Sequence, residues 1–399
     1  MTRPGAKTPF VAIACGGTGG HLFPGLAVAE QLVRRGSYVL LLISPKDIDQ
    51  QAVKSARDVD VATLPAVGLQ NRNYFSFVGS FVKSLFAARK IFKARPPQAV
   101  LAMGGFTSAP PVLAAKKFGA RTFLHESNTI PGRANRFLTR FVDEAFVGFP
   151  ETKSRLQVRK ISVTGTPVRP QFSPSAASNR QSAIALGLDP NVPTILVVGG
   201  SQGANGINEM ILSSLPMLAE RNWQWLHLTG TNDFERVKAA YAAHRIKAVV
   251  KPFLAEMNHA LGAATVAVSR AGASSLAEIA ALRLPAVLVP FPTAADNHQF
   301  HNARAFEQTG AAKLLEQKSA TPGKVAAMLI ELVEDEAARA QMRSALARWH
   351  APGAAEQIAE NILKACWSSS FSLPKENGLK PELPQPRSND PKQEHVCAA

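Results

Sequence analysis

Cysteine is scarce. Cys15, Cys366 and Cys397 are the only three in 399 residues, and their spacing suits neither a disulfide framework nor a zinc site, so a reducing compartment is the simpler expectation. Long apolar runs are also lacking: no stretch approaches the roughly 20 residues that a membrane-spanning helix needs. The run from Phe10 to Cys15, behind Arg3 and Lys7, is too short for a secretory signal and meets glycines, so the chain is expected neither to span a bilayer nor to be secreted. Acidic residues are in deficit, 29 against 45 lysines and arginines, for a net charge of +16. That excess favours an anionic partner such as nucleic acid, phospholipid headgroups or a polyphosphate substrate. Nucleic acid is not expected, because neither a recognisable module nor an aromatic platform accompanies the charge.

What is present reads as α/β. Short apolar runs bounded by glycine alternate with amphipathic helical patterns, as a parallel sheet covered by helices requires. Strands are predicted at Phe10–Ala14, Tyr38–Ile43, Ala99–Met103, Arg121–Leu124 and Glu144–Val147, then at Thr194–Val198, Gln224–Leu228, Val266–Ser269 and Ala286–Val289. The length exceeds what one core supports. Two doubly wound, Rossmann-like domains facing a central cleft are therefore expected, over residues 8–167 and 168–351, with 352–367 packing back onto the first. The Ser-, Pro- and Ala-rich stretch Pro170–Arg180 reads as a connector. Residues 368–399, with Pro374, Pro381, Pro384, Pro386 and Pro391, bury too little apolar area to fold and are expected to be disordered.

The string Cys15-Gly16-Gly17-Thr18-Gly19-Gly20-His21 follows the first strand and opens a helix ended by Gly36. A tight turn alone rarely needs four glycines. Amides around Thr18, Gly19 and Gly20 can approach phosphates, and the helix dipole favours a diphosphate there. A dinucleotide fold would want an acid at the end of the second strand, which instead reads Ile43-Ser44-Pro45-Lys46, so no nicotinamide or flavin cofactor is expected. His21 is either a structural histidine or a proton acceptor beside that loop. Asp47-Ile48-Asp49 and Asp58-Val59-Asp60 follow no convincing strand end, so both read as solvated loop charge and no metal is expected. Ser275-Leu276-Ala277-Glu278 has capping-box spacing, which would turn Glu278 back onto its own helix.

From Tyr74 to Arg95 a helix is predicted with Phe77, Phe81, Leu85, Ala88 and Phe92 on its core face. Phe75, Phe77, Val78, Val82 and Phe86 beside Lys83 and Lys90 would suit an anionic bilayer surface, and a purely buried helix fits the pattern as well.

The glycine loop, with Gly104-Gly105-Phe106, His125-Glu126-Ser127-Asn128, Gly165-Thr166-Pro167-Val168-Arg169, Gly199-Gly200-Ser201-Gln202-Gly203-Ala204 and Arg270-Ala271-Gly272-Ala273-Ser274-Ser275, is similar to the MurG-type glycosyltransferases that complete lipid-linked peptidoglycan monomers. The likeness covers roughly residues 8 to 367. It implies a metal-independent inverting transferase of the GT-B type, needing no cofactor and working peripherally on the cytoplasmic face of the cell membrane. It implies transfer of N-acetylglucosamine from UDP-N-acetylglucosamine, held by the second domain, to the C4 hydroxyl of an undecaprenyl-linked muramyl-pentapeptide, lipid I, held by the first. Tipped by that lipid acceptor, the helix from Tyr74 is assigned to an anionic phospholipid surface. By resemblance Arg169, Ser201, Gln202, Leu254, Ala273, Ser274, Ser275, His298 and Gln299 contact the donor and Glu278 the ribose. His21 is the first candidate base, Glu126 the second, and Asn128 binds substrate, the four side chains of the His125 string pointing into the cleft. Thr166 and His298 depart from the family pattern, which has asparagine in the hinge motif and an amide at the sugar-reading position. A catalytically silent module of the same fold is the reading of another class, and the retained His21 and glycine loop disfavour it.

Overall fold

The computed structural model describes residues 8–56, 58–65, 74–173, 179–200 and 203–368. The first run of strands is β1 (Phe10–Ala14), β2 (Tyr38–Ile43), β3 (Asp60–Thr63), β4 (Ala99–Ala102), β5 (Arg121–Glu126), β6 (Glu144–Val147) and β7 (Ile161–Val163), joined in the order β3-β2-β1-β4-β5-β6-β7. The second is β8 (Thr194–Val198), β9 (Gln224–Leu228), β10 (Ala248–Lys251), β11 (Val266–Ser269), β12 (Ala286–Leu288) and β13 (Lys313–Leu314), in the order β10-β9-β8-β11-β12-β13. Every pairing is parallel. A parallel strand with helices on both faces must be apolar throughout, and β1 shows why. Phe10, Ala12 and Ala14 enter one core, and Val11 and Ile13 enter the other.

The edge strands β3, β7 and β13 lack such runs. They carry Asp60, Ser162 and Lys313 and are only partly buried, which is why no apolar pattern announces them. Helix α1 (Gly19–Arg34) covers β1 with Leu22, Val28 and Leu32. The last helix, Ala354–Ser368, adds Ile358, Ala359, Ile362 and Leu363 to that same core. Phe149, just beyond β6, buries in the core of the second sheet against the stacked pair Phe306 and Trp349.

Within the stretch read as a connector, Pro170–Phe172 form one turn of 3-10 helix, anchored by Phe172 in the second core, and a helix starts at Asn179. Ser201, Gln202 and residues 369–399, the bulk of the expected disordered tail, lie outside the described residues. Among the described residues no helix is long and apolar enough to cross a membrane.

Both sheets reverse their strand order beside the first strand of each, between β1 and β4 and between β8 and β11. Ligands of open parallel sheets sit at such points, beyond the carboxyl ends of the strands. The loops of both sheets meet there.

Candidate active site between the two sheets

These loops enclose a cleft of about 1650 Å³. On its first wall, Thr18 precedes α1 in an extended conformation and does not cap it; its Oγ1 lies 3.0 Å from His21 Nδ1. The first-turn amides of α1 are thus left without a side-chain cap, and Thr18, Gly19 and Gly20 line the cleft. The His21 ring rests on Gly104 and Gly105, whose φ angles are +106° and +76°. A Cβ on either would lie 3.0 Å from the ring, so both positions require glycine. Burial pushes the imidazole down to about 4, helped by His298 and Lys46 and opposed by Asp49. The ring is therefore neutral near pH 7 and able to accept a proton.

The four side chains expected to point into the cleft divide. Glu126, Ser127 and Asn128 line it, whereas His125 is buried behind it, with Nε2 3.1 Å from the Gly165 carbonyl oxygen and Nδ1 3.2 Å from Ser127 Oγ. Burial, with the neighbouring His21, pushes His125 down to about 4 against the pull of Gly165. Glu126, expected as an alternative base, has both oxygens engaged. Oε1 accepts from Asn128 N and Nδ2 at 2.9 and 3.0 Å, and Oε2 from Gly132 N and Asn135 Nδ2 at 2.9 and 2.7 Å. Four donors on one carboxylate shape the loop that follows β5 and occupy both of its oxygens.

Asn128 is likewise occupied, and it exposes a residue that no local pattern marks. Asn302, fully buried on the second sheet's side, donates from Nδ2 to Asn128 Oδ1 (3.0 Å) and to the Ala271 carbonyl (3.1 Å). Its Oδ1 accepts from Thr129 N at 2.9 Å and Oγ1 at 3.0 Å. Asn135, also without a sequence signal, lines the cleft with its Oδ1 buried and unpartnered.

On the opposite wall Arg169 stacks on Phe23 of α1, 4.1 Å from its ring centre, and reaches Glu278 at 3.8 Å. Its buried Nε has no hydrogen-bond partner. Burial pushes Glu278 up to about 7, with Arg169 opposing. Of the two readings of Glu278, the capping one does not hold: the helix Ala273–Ala281 is preceded by Gly272, which leaves Ser275 and Glu278 inside it. Ala273, Ser274 and Ser275 form its first turn at the cleft, and Phe253 and Leu254 beyond β10 line the same space. His298 reaches the cleft with Nδ1 2.8 Å from the Ala295 carbonyl oxygen, to which it donates. Gln299, expected beside it as a sugar reader, turns inward; its Oε1 accepts from Phe291 N at 3.0 Å and Ala271 N at 3.3 Å.

The predicted helix is α3 (Tyr74–Ala94). Phe75, Val78, Val82 and Phe86 are 92%, 56%, 42% and 61% exposed, and Lys83 and Lys90 are exposed beside them. Phe77 belongs elsewhere: half-buried against Phe81, it joins Val78 and Phe81 in the cleft wall. The Asp-x-Asp readings also change. The segment after β2 forms a second helix, α2 (Asp47–Ala52), in which Asp47 is exposed but Asp49 is fully buried, while Asp60 starts β3. Among the described residues no group of three His, Cys, Asp or Glu is placed to hold a metal.

Residues 11–147 match the glycosyltransferase family 28 N-terminal domain and residues 194–358 its C-terminal domain. The UDP-N-acetylglucosamine–N-acetylmuramyl-(pentapeptide) pyrophosphoryl-undecaprenol N-acetylglucosamine transferase of Anaeromyxobacter sp. (strain K) is 34% identical over 395 residues, spanning 93% of this chain and 98% of its own. The protein of the same name from Xanthomonas axonopodis pv. citri (strain 306) is 36% identical, over 96% of this chain and 88% of its own. Among solved structures, Acinetobacter baumannii MurG is similar with a TM-score of 0.71 and 28% identity, over 90% of this chain and 100% of its own.

Proposed function

The chain belongs to glycosyltransferase family 28, and from that premise we propose that it transfers N-acetylglucosamine from UDP-N-acetylglucosamine to undecaprenyl-pyrophosphoryl-muramyl-pentapeptide, converting lipid I to lipid II with inversion. The observation that carries the site assignment is the facing of two unlike walls across one cleft: a neutral imidazole and uncapped amides from the first sheet, and Arg169, Glu278 and a helix start from the second.

The first sheet with residues 352–367 holds the acceptor, and the second holds the donor. Glu278 accepts from the ribose hydroxyls, Phe253 and Leu254 meet the uracil, and Ser274 and Ser275 lie at the diphosphate. His21 takes the proton of the C4 hydroxyl as its oxygen attacks the anomeric carbon. UDP departs from the opposite face with the bonding electrons, its charge met by Arg169 and the amides at the two helix starts. With Nδ1–H donating to Thr18 Oγ1, the base is Nε2. The α3 face rests on anionic phospholipid at the cytoplasmic side, which places the cleft wall formed by Phe77, Val78 and Phe81 beside the lipid tail of the acceptor.

The test is UDP release by purified protein with UDP-N-acetylglucosamine, with and without lipid-linked muramyl-pentapeptide, alongside His21→Ala. Acceptor-dependent release that falls about 10²- to 10⁴-fold in the variant is the expected result. No release by the wild-type protein, with donor bound and a control transferase active, would overturn the reading.

A further inference from the structure

Asp49 lines no part of the cleft, yet it is 0% exposed and sits beneath the glycine loop. Its Oδ2 accepts from the Gly17 amide at 2.6 Å, the Ser44 hydroxyl at 2.5 Å and the Ser44 amide at 3.2 Å. Lys46 Nζ donates to the Gly17 carbonyl oxygen at 2.9 Å. Both polar backbone atoms of Gly17 are therefore held by charged side chains of the stretch that follows β2, Lys46 before α2 and Asp49 within it. The loop lies directly on that segment: a Cβ on Gly16 would stand 2.3 Å from Ser44 N, and Gly17 has φ +107°. Asp49 Oδ1 is buried without a hydrogen-bond partner. A buried carboxylate with an idle oxygen is costly, and of the three donors on the other oxygen one, the Gly17 amide, ties it to the loop while the two of Ser44 hold it in place.

We propose that Asp49 is a positioning residue of the transfer reaction: it locks the Gly17 peptide so that the amides that follow face the cleft, and its charge steadies the imidazolium formed when His21 takes the acceptor proton. This rests on the transferase reading and deepens it. The step itself moves one proton from the acceptor hydroxyl to His21 while the C–O bond forms and the UDP bond breaks; Asp49 exchanges no proton.

The charged and titratable groups facing His21 come from several elements. Asp49 on α2 favours the protonated ring, and Lys46 before α2 and His298 on the second sheet's side oppose it. His125 at the end of β5 also feels the His21 ring. Asp49 supplies the favourable charge in that set, set against burial and the two opposing neighbours.

The experiment compares Asp49→Asn and Asp49→Glu with the wild-type protein in acceptor-dependent UDP release, in melting temperature and in the titration of His21 followed by NMR. Asn keeps the size and an acceptor oxygen but removes the charge, whereas Glu keeps the charge and strains a closed site. The expected result for Asp49→Asn is a kcat about ten- to a hundredfold lower, with KM for UDP-N-acetylglucosamine changed less than about threefold and the His21 pKa lower by about one pH unit. Asp49→Glu recovers part of the rate and keeps the His21 titration near the wild-type position. Equal loss in both variants, in step with their melting temperatures and with the His21 titration unmoved, would reduce Asp49 to packing and overturn the proposal; so would wild-type kcat in Asp49→Asn. If Asp49→Asn does not fold, Asp49→Glu decides: a folded variant as slow as His21→Ala overturns the proposal, and one near wild type supports it. If the wild-type protein releases no UDP, the transferase reading fails by itself, and the His21 titration still reports whether Asp49 acts on that ring.

Discussion

Arg169 lies with its guanidinium 3.8 Å from the Glu278 carboxylate and its flat face on Phe23, so one side chain joins α1 of the first sheet to the donor wall of the second. The pair is too long for a strong hydrogen bond, and burial dominates Glu278, holding its carboxyl near 7 rather than the ordinary 4.5. Between these two values the unfolded chain has released the proton and the folded chain still holds it. The contribution of Glu278 to the stability of the unliganded protein should therefore decline from about pH 4.5 to about pH 7 and level off above it, against the buried histidines His21 and His125, whose lowered values make their own contribution rise with pH. Melting temperatures across the range should show the wild-type protein losing stability relative to Glu278→Gln as the pH rises from about 4.5 to about 7. Donor affinity should move the opposite way, rising as the carboxylate forms near pH 7, and in Glu278→Gln it should be about tenfold weaker and independent of pH in calorimetric titrations.

His21 is fixed by backbone as much as by side chains. Gly105→Ala would place a methyl 3.0 Å from Nδ1 at a φ of +76°, so the ring must move. A misplacement of about 1 Å costs about a hundredfold in rate. Steady-state kinetics should show that loss in kcat, with KM for the donor, bound on the far wall, little changed. In the wild-type protein a ring held down to about 4 is neutral across the physiological range, so no acid limb assigned to His21 should appear in kcat above pH 6 or so.

The glycine loop and its histidine were legible because a buried strand, glycines and a helix start are consecutive in the chain, and the same holds for the turn at Ala273–Ser275. Asp49 was not. Its partner Gly17 is 32 residues away, and an Asp-x-Asp string looks the same whether it faces water or lies under a loop. Gln299 shows the same limit, since only the fold decides whether its amide reads a sugar or the backbone of Phe291. Spacing alone left a capping role open for Glu278 for a local reason: Ser275 resembles a cap residue, but Gly272 already starts the helix.

Asn302 meets Thr129 from 173 positions away, beyond any pattern of spacing. Of its four hydrogen bonds, two through each end of the amide, three tie the loop after β5 to the second sheet's side and the fourth anchors Asn302 to Ala271 on its own side. Asn302→Ala strands buried donors and acceptors on Asn128, Thr129 and Ala271, which costs about 1–3 kcal/mol. Asn302→Asp keeps the acceptor for Thr129, loses the donor to Asn128 and sets a charge against the Ala271 carbonyl, so it should destabilise more than Ala. Denaturant titration will order the three proteins, and equal stability of all three would exclude a locking role for the contact.

The exposed residues of α3 fall at i, i+3, i+7 and i+11 from Phe75, which puts Phe75, Val78, Val82 and Phe86 on one stripe. Among the described residues no neighbouring element covers Phe75 at 92% exposure, and Lys83 and Lys90 project beside the stripe, so apolar insertion and charge attraction act on one face. Transfer of an aromatic side chain out of water contributes about 1.5–3 kcal/mol at full burial, and each lysine about 1 kcal/mol at an anionic surface. Phe75→Ser with Phe86→Ser should thus weaken binding to phosphatidylglycerol-containing vesicles by about ten- to a hundredfold in co-sedimentation, at any salt concentration. Lys83→Ala with Lys90→Ala should weaken it less, and that loss should vanish in high salt, where charges beyond roughly 10 Å are screened. Both double variants should melt with the wild-type protein, because neither pair supports the core. Vesicle binding unchanged by the phenylalanine pair would separate α3 from the membrane and return the stripe to the acceptor cleft alone.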